Sequence, residues 1–414
     1  MKIIMSLNIS ILKNSKFSVF FISDILSGFG VGMATLSANW YVLMKTGESS
    51  SVGTLLAVNV IAGFITTIIL GGVVDRIPRK TLIFWTHLLR AIGFIGIFFL
   101  LHFYGFHLFV LYAFSAINGI GWTLYIASSR SLLQEILDEN SYVQGNSLLE
   151  VSLQVGMFLA AGAAGVLYNY CSFAGILLII TAMFIASAVA IIFLNHQSQI
   201  FIDKKEDYLS SLQGGVQFLS RNKIIFLLGI ISIVPLIVTM MYNVVLPEYV
   251  NNTLRKGSVT FGLADMSYGI GGLVSGVLIS LFSRKLKSEK LIGLLFLIAA
   301  VNLLCLSHNT VTFNLYLCSL VLGISNSSLR ILIGAILMKL VSKQYMGRMM
   351  SVILGISLIF QCGLSLSIGA YIDHKGSTFG LVIMGMVMLV GFILYCFEQI
   401  AIKRICNPLI QKNE

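Results

Sequence analysis

GGVVDRIPRK, residues 71–80, is the stretch that decides how the chain is read. It stands between two apolar runs, 52–74 and 81–102, each long enough to supply the roughly 20 residues that cross a bilayer. One acid and three bases packed between such runs cannot enter hydrocarbon, so they form the polar turn of a helical hairpin. Pro78 keeps that turn tight and removes one N–H from it.

Ten further apolar runs flank this hairpin, at 17–44, 107–128, 146–168, 173–194, 224–250, 258–282, 290–308, 313–340, 349–372 and 379–399. The composition agrees: 57% of the 414 residues are hydrophobic and 10% charged, with a mean hydropathy of +0.94. Soluble domains carry about 25% charged residues, so so few charges cannot cover a water-facing surface. The expectation is an all-α membrane protein of twelve transmembrane helices. The first run is too long for a cleaved signal segment and reads as a retained helix.

The net charge of +11 reports topology. Twenty-one of the 27 Lys and Arg fall in segments that share one side of the membrane. Lys45, Arg255, Lys256 and Lys375 fall in the opposite loops, and Arg90 and Arg330 lie within spans. A cytoplasmic excess of Lys and Arg places both termini in the cytoplasm. No nucleic-acid motif accompanies the charge. The six cysteines have no metal-ligand spacing and read as small packing residues. No Walker A sequence is present, and neither a cofactor nor a metal is expected.

The hairpin turn has a degraded echo. Gly71, Arg79 and Lys80 recur as Gly276, Arg284 and Lys285 at an offset of 205; Ser147 and Gly165 recur as Ser351 and Gly369 at an offset of 204. A near-constant offset through helices two to five marks two parallel six-helix halves. The expected division is 1–194 and 224–414, joined by a cytoplasmic linker at 195–223 that carries DKKED and a weakly amphipathic segment.

These motifs resemble the major facilitator superfamily over nearly the whole chain. Gly71, Asp75, Arg76, Arg79 and Lys80 match the family's loop between helices two and three, with Pro78 at its glycine position. SSRSLLQEIL followed by GNSL at 145–148, and QYMGRMMS at 344–351, are similar to segments of the drug- and macrolide-efflux branch and its siderophore-exporter relatives. One departure stands out: the exporters' helix-five proline is Ala161 here, within GMFLAAGAAG at 156–165. The resemblance implies two pseudo-symmetric six-helix bundles around one substrate site. It also implies a gate in which Asp75 faces the start of helix eleven near Gly347 and Arg348.

Ionisable residues inside spans are the functional candidates. Asp24, Asp265 and Glu150 are the proton-coupling candidates, Asp24 first because helix one lines the cavity in this family. Arg330 is a candidate for an anionic substrate group or for an ion pair with Asp265, and Arg90 reads as a structural partner. Tyr41, Asn118, Trp122, Tyr125, Tyr242 and Asn243 would complete a substrate pocket. The glycine clusters GFGVG (28–32) and GIGG (269–272) lie inside spans and read as bending and close-packing points.

The function expected is secondary transport: proton-coupled export of a small amphipathic compound, drug-like or a secreted metabolite such as a siderophore. The alternative is uptake of a nutrient or a metal–siderophore complex. An enzyme is not expected, because the histidines cluster at span ends. The protein is expected as a monomer in a bacterial cytoplasmic (inner) membrane, with a small-molecule substrate, protons and the lipid bilayer as its partners and no nucleic acid.

Overall fold

The computed structural model describes residues 11, 13–74, 77–138, 141–196, 208–282, 288–341 and 343–410. Among them the chain is helical and contains no strand. Six helices come first: α1 Ser15–Thr46, α2 Ser49–Val74, α3 Arg79–Tyr104, α4 Leu108–Ile136, α5 Tyr142–Leu167 and α6 Phe173–Ile192. A short helix follows, α7 Tyr208–Arg221. Six more complete the chain: α8 Lys223–Glu248, α9 Ser258–Phe282, α10 Ser288–Ser307, α11 Thr312–Leu340, α12 Lys343–Lys375 and α13 Ser377–Ile410. Ten of these are long and apolar enough to cross a membrane, and α5 adds a shorter apolar stretch, Val151–Leu167.

The twelve expected spans correspond to all these helices except α7, with ends that run further than hydropathy marks. Helix α4 continues eight residues past its apolar run, to Ile136, and α5 starts at Tyr142. Backbone hydrogen bonding carries a helix beyond the hydrocarbon as readily as within it, so polarity alone does not find its end. Pro78 stands at the N-cap of α3, and its carbonyl accepts from Leu82 N at 2.9 Å. Helix α8 contains Pro235 and Pro247 and ends in a π-helical turn, Tyr249–Thr253. The amphipathic α7 packs on α12, with Phe218 stacked on Tyr345 at 4.8 Å.

Helices α1–α6 form one bundle and α8–α13 the other, and the two meet along α5–α9 and α2–α12. Small residues make the first seam possible. A Cβ on Gly165 would stand 2.6 Å from the Ser258 carbonyl oxygen, and Ser258 Oγ donates to the Gly165 carbonyl at 2.8 Å. The other face of α5 packs on α1, where a Cβ on Gly32 would meet the Met157 carbonyl oxygen at 2.5 Å. The GFGVG cluster therefore serves close packing. Trp40 of α1 stacks on Phe261 of α9 at 5.4 Å.

These contacts share a location. Residues 49–57 begin α2, 258–269 begin α9, 158–165 lie toward the end of α5, and 362–373 lie toward the end of α12. The bundles are thus sealed at the end of the molecule opposite the chain termini and the linker, here termed the distal end. Lys45, Arg255, Lys256 and Lys375, the four cations assigned to opposite loops, all flank that end.

Candidate functional site

Asp24 lies nine residues into α1, roughly 14 Å along its axis at 1.5 Å per residue. It is fully buried. Its two carboxylate oxygens accept hydrogen bonds from Tyr125 of α4 and Ser152 of α5. Two hydroxyl donors from two different helices fix the carboxylate at the meeting point of α1, α4 and α5.

Around Tyr125 the polar cluster continues onto α3. The His87 ring lies 5.0 Å from the Tyr125 ring and 6.0 Å from that of Phe184. One turn on, Arg90 lays its guanidinium over Phe184 at 4.2 Å. Its Nη2 donates to Asn118 Oδ1 at 2.6 Å and to the Asn118 carbonyl at 3.2 Å. Arg90 Nε and Nη1 and both His87 ring nitrogens are buried without a hydrogen-bond partner among the described residues. Gly121 makes the room: a Cβ there would stand 2.2 Å from Arg90 Cδ. The first bundle thus encloses an acid, a guanidinium and an imidazole in one apolar interior.

The second bundle holds a different arrangement, between α8, α9 and α11. Tyr268 OH and Thr239 Oγ1 lie 2.8 Å apart, and Asn326 Nδ2 donates to both, at 3.2 and 3.3 Å. Tyr242 stacks on Tyr268 at 5.4 Å and hydrogen-bonds Ser319 Oγ at 2.6 Å. Asn326 is 1% exposed, and its Oδ1 has no hydrogen-bond partner among the described residues. Asp265 and Arg330 both lie within electrostatic reach of the Tyr268 hydroxyl. They form no ion pair with each other.

Arg330 is exposed although it sits ten residues from the end of a 29-residue helix. A guanidinium in contact with lipid tails at that depth costs at least about 2.5–3.5 kcal/mol. Asn326 stands one turn away on the same face of α11.

The sequence candidates separate accordingly. Asp24, Tyr125 and Asn118 come together in the first bundle, Tyr125 and Asn118 as buried partners of Asp24 and Arg90. Tyr242, Asp265 and Arg330 come together in the second. Trp122 is half-buried between the core clusters, and Asn243 is half-buried in α8. Tyr41 stands apart, stacked on Phe173 at 4.2 Å near the distal end. Glu150 lies in α5 with its side chain outside the described residues.

Of the gate motif, Asp75 and Arg76 lie outside the described residues, as do the surroundings of Gly71 and Gly347. Arg79 opens α3. Lys80 Nζ donates to the carbonyls of Ile192 and Leu194 at 3.1 and 2.6 Å, capping the end of α6. Arg348 is covered by α7, where a Cβ on Gly215 would stand 2.3 Å from its carbonyl oxygen.

Sequence reasoning missed His87, Ser152, Thr239, Tyr268 and Asn326. Spacing was the available signal for three of them. His87 stands three residues from Arg90, Tyr268 three from Asp265, and Asn326 four from Arg330, all same-face helical intervals.

Comparison with known proteins bears on the whole architecture. The chain is 22% identical to YkuC of Bacillus subtilis (strain 168), an uncharacterized MFS-type transporter, over 93% of this chain and 92% of that one. Among solved structures it is similar to the nucleoside transporter NupG, with a TM-score of 0.74 and 16% identity, covering 93% of this chain and 99% of that one. It is also similar to a bacterial homolog of the human lysosomal transporter Spinster in an inward-facing and unoccupied conformation. There the TM-score is 0.72 and the identity 12%, covering 93% and 96% of the two chains. At such identities these structures speak to fold alone. The family model described as Major Facilitator Superfamily matches residues 20–357, and the chain belongs to that superfamily of membrane transporters.

Proposed function

We propose that this transporter exports a small amphipathic compound in exchange for protons, with Asp24 as the proton-carrying group and the Tyr268–Asn326–Arg330 face of the second bundle as the substrate site. The observation that carries the reading is the burial of Asp24 between two hydroxyl donors while the bundles are sealed at one end. A coupling carboxyl must be closed off in one conformation and reached by water in another. Asp24, held by residues of α4 and α5, gains water when those helices shift against α1 within the first bundle, a step that accompanies the rocking of the two bundles.

The distribution of basic residues supports an external distal end, and hence a cytoplasm-open conformation in a bacterial cytoplasmic membrane, with both termini on the cytoplasmic side. The two bundles, divided at the 195–223 linker, act as rocking units within one monomer. The efflux and siderophore-exporter branch rests on the Arg130, Asn146–Leu148 and Gly347–Arg348 segments. An exporter loads from the cytoplasm, the side opposite the distal seal in this reading.

Uptake on the same fold is the second reading, favoured by Ala161 at the position of the exporters' helix-five proline. Membrane vesicles separate the two. An exporter accumulates its compound in everted vesicles under an imposed proton gradient; accumulation confined to right-side-out vesicles reverses the assignment. Asp24→Asn abolishes gradient-driven accumulation and spares substrate binding. Full active transport by that variant removes Asp24 from the coupling role.

A further inference from the structure

The distal seal contains a contact of a different kind from helix packing. Helix α2 starts at Ser49, directly after Glu48. The N–H groups of a first helical turn have no intrahelical partner and need an acceptor. Glu48 Oε2 takes the Ser51 hydroxyl, at 3.4 Å. The acceptor for the backbone comes from 324 residues away, in the other bundle. Asp373, near the end of α12, takes Ser49 N on Oδ1 at 2.6 Å and Ser50 N on Oδ2 at 3.0 Å.

One turn back along α12, a Cβ on Gly369 would stand 2.7 Å from the Ser49 carbonyl oxygen, so nothing but glycine lets the two chains come this close. Glu248 of α8, buried and bonded to Asn252, brings a second carboxylate to the same helix start. The positive end of α2 is thus received by acids of the opposite bundle.

We propose that Asp373 is a latch: a helix cap supplied across the bundle boundary, made only while the distal end is closed, which sets the balance between the closed and open distal states. The proposal rests on the alternating-access reading above. Separation of the bundles at this end strips α2 of its cap and leaves two carboxylates of one bundle without their positive partner. Both consequences favour closure. A cap and a dipole contact of this type shift an equilibrium by a few-fold to some thirtyfold.

The test uses the full-length protein in liposomes, with the six native cysteines replaced and spin labels at Tyr170→Cys and Thr310→Cys. These exposed turns lie at the distal end, one in each bundle. Double electron–electron resonance reads the fraction of molecules with the distal end open. Asp373→Asn keeps the shape and loses the charge and one acceptor; it is expected to raise the open-to-closed ratio about threefold. Asp373→Lys places a cation against the helix start and is expected to raise it tenfold or more. Monodisperse elution of both variants confirms that they fold. Distance distributions of both variants that coincide with the parent overturn the latch.

Gly165→Ala separates that outcome from a failure of the underlying reading. Its methyl group wedges the α5–α9 seam at the same end, 2.6 Å from the Ser258 carbonyl oxygen and away from the cap. If it opens the distal end while the Asp373 variants do not, the bundles rock and Asp373 is not their latch. If no variant opens the end, alternation itself is refuted.

Discussion

Removing Asn118 should harm this protein more than removing Asn118 and Arg90 together. The guanidinium of Arg90 is buried to 2% exposure, and its hydrogen bonds among the described residues both run from Nη2 to Asn118. The Phe184 ring adds a cation–π attraction from 4.2 Å. Hydrogen bonds to a charged group contribute about 1.5–3 kcal/mol, and a desolvated cation–π contact about 2 kcal/mol. Against these stands a desolvation cost of several kcal/mol for a buried ion. The sum lies near balance, and Nε and Nη1 are left unpaired in it.

Asn118→Leu leaves the cation in place and takes its hydrogen bonds away, so a loss of about 3 kcal/mol is expected. Adding Arg90→Met removes the stranded charge and keeps apolar volume against Phe184, which should recover most of that loss. Unfolding of membrane transporters in detergent is commonly irreversible, so apparent Tm values are compared at one scan rate. The expected order is parent and Arg90→Met close together, the double variant slightly below, and Asn118→Leu lowest. A double variant no more stable than Asn118→Leu refutes the reasoning, because it means that Asn118 acts through something other than Arg90.

Three further outcomes follow from the geometry. Asn326→Leu removes the unpaired buried Oδ1 and the donor to Tyr268 and Thr239, so substrate affinity should fall by roughly tenfold or more, with proton uptake retained, as measured by binding in detergent. Arg330→Ala is expected to weaken anionic members of a compound series far more than neutral ones, and equal loss across the series would show that Arg330 does not read charge. Gly165→Ala inserts a methyl group 2.6 Å from the Ser258 carbonyl oxygen. Overpacking costs of about 1–3 kcal/mol should shift the protein away from the distal-closed state, seen as faster labelling of a cysteine placed in the α5–α9 seam.

The fold was legible because hydrocarbon imposes a length and a polarity on every span. The hairpin at 71–80 and its echo near 276–285 reported two repeated halves before any contact was known. The site was legible only in part. A charge inside a span announces itself in one dimension, and Asp24, Asp265, Arg90 and Arg330 were found that way. What each charge touches is a three-dimensional fact: Ser152 is an ordinary serine in α5 until α1 and α4 bring Asp24 and Tyr125 against it. His87 was passed over because most of the other histidines sit at span ends. Asp373 stands one residue past the apolar run 349–372, and its partner is the start of a helix 324 residues away.

The repeat also shows how chemistry is divided between two halves of common architecture. At the offsets of 204–205, Asp24, Tyr125 and Ser152 align with Gly229, Leu329 and Ile356. In the reverse direction Thr239, Tyr268, Asn326 and Arg330 align with Ala34, Gly63, Trp122 and Ile126. Every polar group of one cluster therefore faces a small or largely apolar residue in the other half. The seams behave differently: Gly165 and Gly369 are a matched pair, and each makes the close approach of its own helix to the opposite bundle at the distal end. What symmetry preserves is the surface on which the bundles rock, since a rocking motion needs matched seams on both sides. What it abandons is the interior chemistry, because one bundle that hides an acid and another that presents a polar face can bind two different things. Under the proposed exchange, a proton on Asp24 and a substrate on the Tyr268–Asn326–Arg330 face occupy two separate places, and one shared motion couples them.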